Sequence, residues 1–154
     1  MRVSEIMTNA AVIDQPDDTL AEAARKMWVQ QTGSLLVIDG EDLVGIITER
    51  DILKAVATGT ALEETRISQM MSKDLVTVGP GTSLREAAKL MAERWIRHLP
   101  VLDDGKLVGV ISQRDLSGVL AGALNEPDAL QQLIEGSELV RERRLKRIDH
   151  GVWD

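Results

Sequence analysis

The sequence predicts an α+β, sandwich-like fold: two tandem β-α-β-β-α repeats packed sheet to sheet about a pseudo-twofold axis, with a helical C-terminal tail. Three observations carry that expectation. Residues 3–53 align with 67–117 without a gap, and 18 of the 51 positions are identical. Each half places one helix-period apolar stripe among short apolar runs of strand length. Neither half, about 50 residues long, could bury much core alone, so the two are expected to share one.

Each repeat opens on a short extended piece, Ala11-Val12-Ile13 or Leu75-Val76-Thr77-Val78, that runs to Pro16 or Pro80. A helix follows behind a capping box, Thr19 with Glu22 and Ser83 with Glu86, in which the hydroxyl and the acid each accept a backbone N–H. Leu20, Ala23, Ala24 and Met27 then fall at i, i+3, i+4 and i+7, and Leu84, Ala87, Ala88 and Met91 repeat them. Next comes a hairpin: runs 35–38 and 43–47 flank the polar turn Asp39-Gly40-Glu41-Asp42, and runs 99–102 and 107–111 flank Asp103-Asp104-Gly105-Lys106. A second helix closes each repeat, over about 49–57 and 113–120. The organisation read from this is motif 1 at 1–57, a linker at 58–66, motif 2 at 67–124 and a tail at 125–154, with the motifs forming one compact module.

Composition narrows the function. The formal charge is −7, which disfavours a surface that tracks nucleic acid phosphates. Cysteine is absent, removing disulfides, thiolate nucleophiles and cysteine-based metal sites. No apolar run is long enough to span a bilayer, and nothing resembling a signal peptide follows Met1, so a cytoplasmic protein is expected.

The chemistry concentrates where each hairpin meets its second helix, at Gly45-Ile46-Ile47-Thr48-Glu49-Arg50-Asp51 and Gly109-Val110-Ile111-Ser112-Gln113-Arg114-Asp115. One reading is a second capping box, with Thr48 or Ser112 at the N-cap and Asp51 or Asp115 at N3. The other is a nucleotide grip. A helix N-terminus and a hydroxyl suit a phosphate, Arg50 and Arg114 can neutralise it, and the aspartate matches the hydroxyls of a ribose. The two readings are compatible, since a capping hydroxyl can also face a ligand.

The repeat architecture, the Gly-hydrophobic-x-Thr/Ser-x-x-Asp ending and the spacing of its two copies resemble a pair of CBS (cystathionine β-synthase-type) motifs, over about 3–122. That resemblance implies a non-catalytic regulatory module. It would bind an adenosine-containing ligand (AMP, ADP or ATP, or S-adenosylmethionine) in clefts between the two motifs and signal to a regulated partner. It also implies a homodimer formed through the motif helices, with no required cofactor. Carried onto this chain, Thr48 and Asp51 hold phosphate and ribose in one cleft, and Ser112 and Asp115 do so in the other. The base lies against Val12 and Ile13, or Val76 and Thr77, and the segment before the hairpin. That segment is Arg97-His98-Leu99-Pro100-Val101 in the second repeat, with Arg97 and His98 available for phosphate, and Gly33-Ser34-Leu35-Leu36-Val37 in the first, which offers no cation. Asp14, opposite Val78 of the second repeat, adds negative charge near the first cleft, so the clefts are not equivalent.

Other residues read more plainly. His98 and His150 are the only histidines and are not expected to form a metal site or a catalytic dyad. Trp28 and Trp95 are expected in the core or at a dimer contact. Pro127 is expected to open a short helix that Gly136 ends, followed by a basic stretch from Ser137 to Ile148. Three rivals to the sensor remain: a ligand-free interaction module using the motif only as caps, an enzyme with His98 as its base, and a DNA-binding protein.

Overall fold

Thr19 starts the first long helix as its spacing predicts. Its backbone N–H donates to Glu22 Oε2 at 2.8 Å, and the Glu22 N–H donates to Thr19 Oγ1 at 3.2 Å. The computed structural model describes residues 1–9, 11–123 and 129–149. Helix α1 spans Leu20–Gln30 and ends where Gln31 turns left-handed, at φ 52°. The Thr32 N–H then closes back onto the Met27 carbonyl at 3.1 Å. In the second repeat α3, Leu84–Arg94, keeps half of the expected box: Ser83 Oγ accepts the Glu86 N–H at 3.2 Å, but among the described hydrogen bonds Glu86 does not reach back to the Ser83 N–H. The helix ends at Trp95, φ 57°, with the Ile96 N–H on the Met91 carbonyl. Such a closure satisfies carbonyls that a helix end leaves without partners.

The opening strand is shorter than its apolar run. In the first repeat only Ile13–Asp14 (β1) pairs, parallel to β2, Ser34–Asp39. In the second it shrinks to a single bridge, Val78 to Val101. The prolines two residues on, Pro16 and Pro80, lack the N–H a longer ladder would need. β2 runs antiparallel to β3, Asp42–Thr48, with Ser34 opposite Thr48 and a bulge at Val44. The corresponding pair is β4, His98–Asp103, with β5, Lys106–Ser112. Both turns are tighter than the four-residue reading, because Asp39 and Asp42 in one, and Asp103 and Lys106 in the other, join the strands. Gly40 takes φ 64° in one turn, and Asp104 and Gly105 take 47° and 77° in the other, the positive values a two-residue hairpin turn demands. Helices α2, Glu49–Ala57, and α4, Gln113–Ala123, follow directly.

By contacts the chain divides into two units, and their borders differ from those of the sequence repeats. The first comprises Thr8–Thr77 with Leu102–Gly109; the second comprises Met1–Met7, Val78–Val101 and the described chain from Val110. The segment leading into each repeat is therefore built into the unit of the other. In the first unit Ile67 N–H donates to Asp18 O, Ser68 N–H to Pro16 O and Leu20 N–H to Thr65 O. In the second, Val3 N–H donates to Thr82 O, Ser4 N–H to Pro80 O and Leu84 N–H to Met1 O. These are the same bonds displaced by one repeat. The first unit's core gathers Leu20, Ala23, Met27, Leu35, Val37, Ile47, Ala55 and Ile67. Burying one such Leu or Ile contributes about 1.5–3 kcal/mol. The second unit buries Val3, Ala87, Met91, Leu99, Val101 and Ile111, while Ala88, placed on the predicted stripe, is exposed.

The tail differs from its sequence reading. Gly136 does not end a helix: α5 runs unbroken over Ala129–Asp149. A helical glycine costs only about 1 kcal/mol, and α5 packs on α3, where Arg85 meets Glu135 at 3.5 Å. Pro127 and His150 lie outside the described residues. Trp28 is 85% exposed and so is no part of the core, whereas Trp95 is half-buried. No described helix is long and apolar enough to cross a membrane.

Candidate functional site

At the end of β3, the Thr48 backbone N–H and Oγ1 both donate to Asp51 Oδ2, at 2.8 and 3.1 Å. At the end of β5, the Ser112 N–H and Oγ donate to Asp115 Oδ2, both at 2.7 Å. The Asp115 N–H returns to Ser112 Oγ at 3.3 Å. The capping reading of the junction is thus realised in both copies. The first N–H of each helix is also engaged: Glu49 donates to Gly33 O at 3.0 Å and Gln113 to Arg97 O at 2.9 Å. The residue before each hairpin therefore pins the start of the helix that follows it.

This geometry leaves defined groups for a ligand. Each aspartate spends one oxygen on the cap, and among the described hydrogen bonds its Oδ1 accepts none. Thr48, Asp51, Ser112 and Asp115 are half-buried, so they are held in place yet reachable. Arg50 and Arg114 are exposed and, among the described residues, make no ion pair. The arrangement can offer carboxylate oxygens to a diol and guanidinium groups to a phosphate.

The other nominated residues divide. In the first unit Val12, half-buried, accepts the Leu36 N–H at 3.1 Å, and exposed Ile13 lies opposite Leu36. Leu35 pairs with Ile47, so the register carries Ile13, Leu35 and Thr48 onto one three-stranded sheet, with Val12 just ahead of its first strand. Leu35, however, is fully buried core, as are Leu99 and Pro100 of β4. Pro100 instead accepts the Val78 N–H at 3.1 Å. Val76, Thr77 and His98 are half-buried, and Arg97 is exposed. Among the described residues no cluster of three or more His, Asp or Glu is placed to hold a metal ion.

Asp14 behaves differently from the free negative charge its position suggested. It is 4% exposed, and its Oδ1 lies 2.6 Å from Lys26 Nζ, which also donates to Ile13 O at 2.9 Å. Burial, and next the Asp18 carboxyl beside it, raise its pKa against the pull of Lys26; the same contact lowers that of Asp18. Lys26 escaped the sequence reading, although a signal was present. It stands where the second repeat has Leu90, as Asp14 stands where that repeat has Val78.

Comparison with known proteins agrees with this architecture. The family profile described as CBS domain matches twice, at residues 3–58 and 67–122. An uncharacterised 17.7 kDa protein of Acidianus ambivalens is 40% identical, covering 77% of this chain and 73% of its own. The CBS domain-containing protein YhcV of Bacillus subtilis is 37% identical, with coverages of 75% and 82%. Among solved structures, the CBS domain pair of protein MJ0100, in complex with 5′-methylthioadenosine and S-adenosyl-L-methionine, superposes with a TM-score of 0.73. It is 27% identical and covers 79% of this chain and 97% of its own.

Proposed function

The chain belongs to the CBS domain family as a tandem pair, and from that premise we propose that it is a sensor of adenosine-containing ligands. CBS pair proteins are regulatory modules. The observation that carries the proposal is the repetition of one junction geometry, Thr48 with Asp51 and Ser112 with Asp115, each with a carboxylate oxygen to spare beside an exposed arginine. The complex of MJ0100 with two adenosine compounds supports the ligand class. In this reading the spare carboxylate oxygens take the ribose hydroxyls, Arg50 and Arg114 take any phosphate, and Ile13 and Val12, or Thr77 and Val76, face the base. Arg97 adds positive charge, and His98 a further polar group, on the second repeat only.

Ligand binding would shift the packing of the module, and a protein partner would read that shift. A homodimer in the cytoplasm completes the proposal. It is supported by Trp28 and Val29 on α1 and Leu53 and Val56 on α2, all large, apolar and more than half exposed.

A second reading is favoured by the caps themselves. Both aspartates already have structural partners, so the motif would be accounted for in a ligand-free interaction module. Isothermal titration calorimetry with AMP, ADP, ATP, S-adenosylmethionine and 5′-methylthioadenosine separates the two. Saturable heat with any of them supports the sensor, and none with all five supports the ligand-free module.

A further inference from the structure

Asp14 is the one charged side chain buried among the described residues. One of its oxygens is served by Lys26, while Oδ2, shielded from solvent, has no hydrogen-bond partner among the described residues. Its neighbour is the Asp18 carboxyl, whose Oδ2 accepts the Gln15 N–H at 3.0 Å. Both carboxyls line one hollow, and ionised carboxylates are acceptors only, so Asp18 cannot satisfy the buried Oδ2 of Asp14 unless one of the two carries a proton and becomes a donor. The second repeat supplies the internal comparison. There Val78, Leu90 and Thr82 replace Asp14, Lys26 and Asp18, and the Thr82 hydroxyl accepts the Gly79 N–H at 3.2 Å, just as Asp18 accepts that of Gln15. The same turn is therefore built without charge in one repeat and with three charged groups in the other.

We propose that Asp14 and Asp18 hold one proton between them, making this cluster a proton-binding site built into the first repeat alone. The other charged groups around it largely favour that proton. Asp17 and Asp39 line the same hollow, of about 590 Å³, and Glu22 lies beside Asp18. Opposing them are Lys26 and, through Asp17 at 3.6 Å, Arg66. Burial and the Asp18 contact raise the pKa of Asp14, while the contact with Asp14 lowers that of Asp18. A raised folded-state pKa means the shared proton favours the fold at low pH, and that contribution is lost as pH rises through it. Loss of the proton sets two carboxylates against one ammonium at the end of β1, next to Ile13. This turn of the first repeat thus responds to pH where its counterpart at Val78, Thr82 and Leu90 does not, whether or not a nucleotide binds.

The test is a carbon-13 carboxyl titration of the full chain by NMR. The expected result is Asp14 titrating above the ordinary aspartate range and Asp18 below it, with the Asp18 shift reduced, though not abolished while the Gln15 N–H still donates to it, in the double variant Asp14→Val/Lys26→Leu, which installs the second repeat's pair. Independent titration of both groups at ordinary values in the wild type overturns the proposal, and that readout needs no variant to fold. Melting curves give a second reading: the wild-type Tm should fall relative to the double variant as pH rises through the Asp14 pKa, and parallel profiles would also overturn it.

Discussion

Met71 lies across Gly45, its Cγ 2.9 Å from where a β-carbon on that glycine would stand, with the Ser72 carbonyl 3.1 Å away. The same stretch pairs with β3, since Ile46 and Ser72 exchange backbone bonds at 3.1 and 2.9 Å. Gly45 begins the segment that ends in Thr48 and Asp51, so the lead-in to the second repeat is fastened to the strand that carries the first candidate site. The glycine of the motif is needed for close approach rather than for an unusual backbone angle.

Gly45→Ala should therefore cost about 1–3 kcal/mol, the usual range for overpacking. Denaturant melts would measure it, and Met71→Ala in the same chain should return part of the loss. If Gly45→Ala melts like the wild type, the close approach is not a constraint.

Ile67 has no exposed surface and packs with Leu20, Ala23 and Met27, residues of the other sequence repeat. Ile67→Ala should cost about 2–5 kcal/mol, as a core truncation. It should destabilise the first unit as strongly as Leu20→Ala does. A loss below about 1 kcal/mol would mean that the exchanged segment is dispensable.

These contacts mark the boundary of what was legible in the chain. Caps, hairpins and helices repeat locally, so Thr19 with Glu22 and Ser112 with Asp115 could be found from spacing alone. The exchange of residues 1–7 and 67–77 between units could not, because a repeat's period says where a segment recurs and not what it packs against. The tail was not legible, because a glycine such as Gly136 stops a helix only where tertiary packing does not offset its cost, and α5 packs on α3. Asp14 was seen without Lys26, since a pair twelve residues apart joining a strand to a helix belongs to no local pattern.

The acid limb of stability has a definite sign. The Thr19 backbone N–H, then its hydroxyl, lower the pKa of Glu22. A lowered folded-state pKa contributes stability above the unfolded value and loses it as pH falls through the folded one. Melting followed downward from pH 7 should show Tm falling in the acid range, with Glu22→Gln shrinking that fall while lowering the plateau. A fall of equal size in wild type and variant would contradict the assignment.

Trp28, Val29, Leu53 and Val56 are the large apolar side chains left exposed on α1 and α2. The corresponding positions of the second repeat hold Ala92, Glu93, Ser117 and Leu120. If this face joins two copies, Trp28→Glu with Leu53→Glu should convert a dimer to a monomer by light scattering, with the circular dichroism unchanged. A dimer that survives both substitutions would place the contact elsewhere.

The most direct test of the sensor is the ligand-induced change in Tm, comparing wild type with Asp51→Asn/Asp115→Asn. The amide still gives the Thr48 and Ser112 N–H groups an acceptor but offers a ribose only a weakened partner. With adenosine compounds at about 100 times their Kd, the wild type should gain about 2.7 kcal/mol, a rise of several degrees, and the variant should gain little. No rise with any adenosine compound, or an equal rise in the variant, would contradict the account.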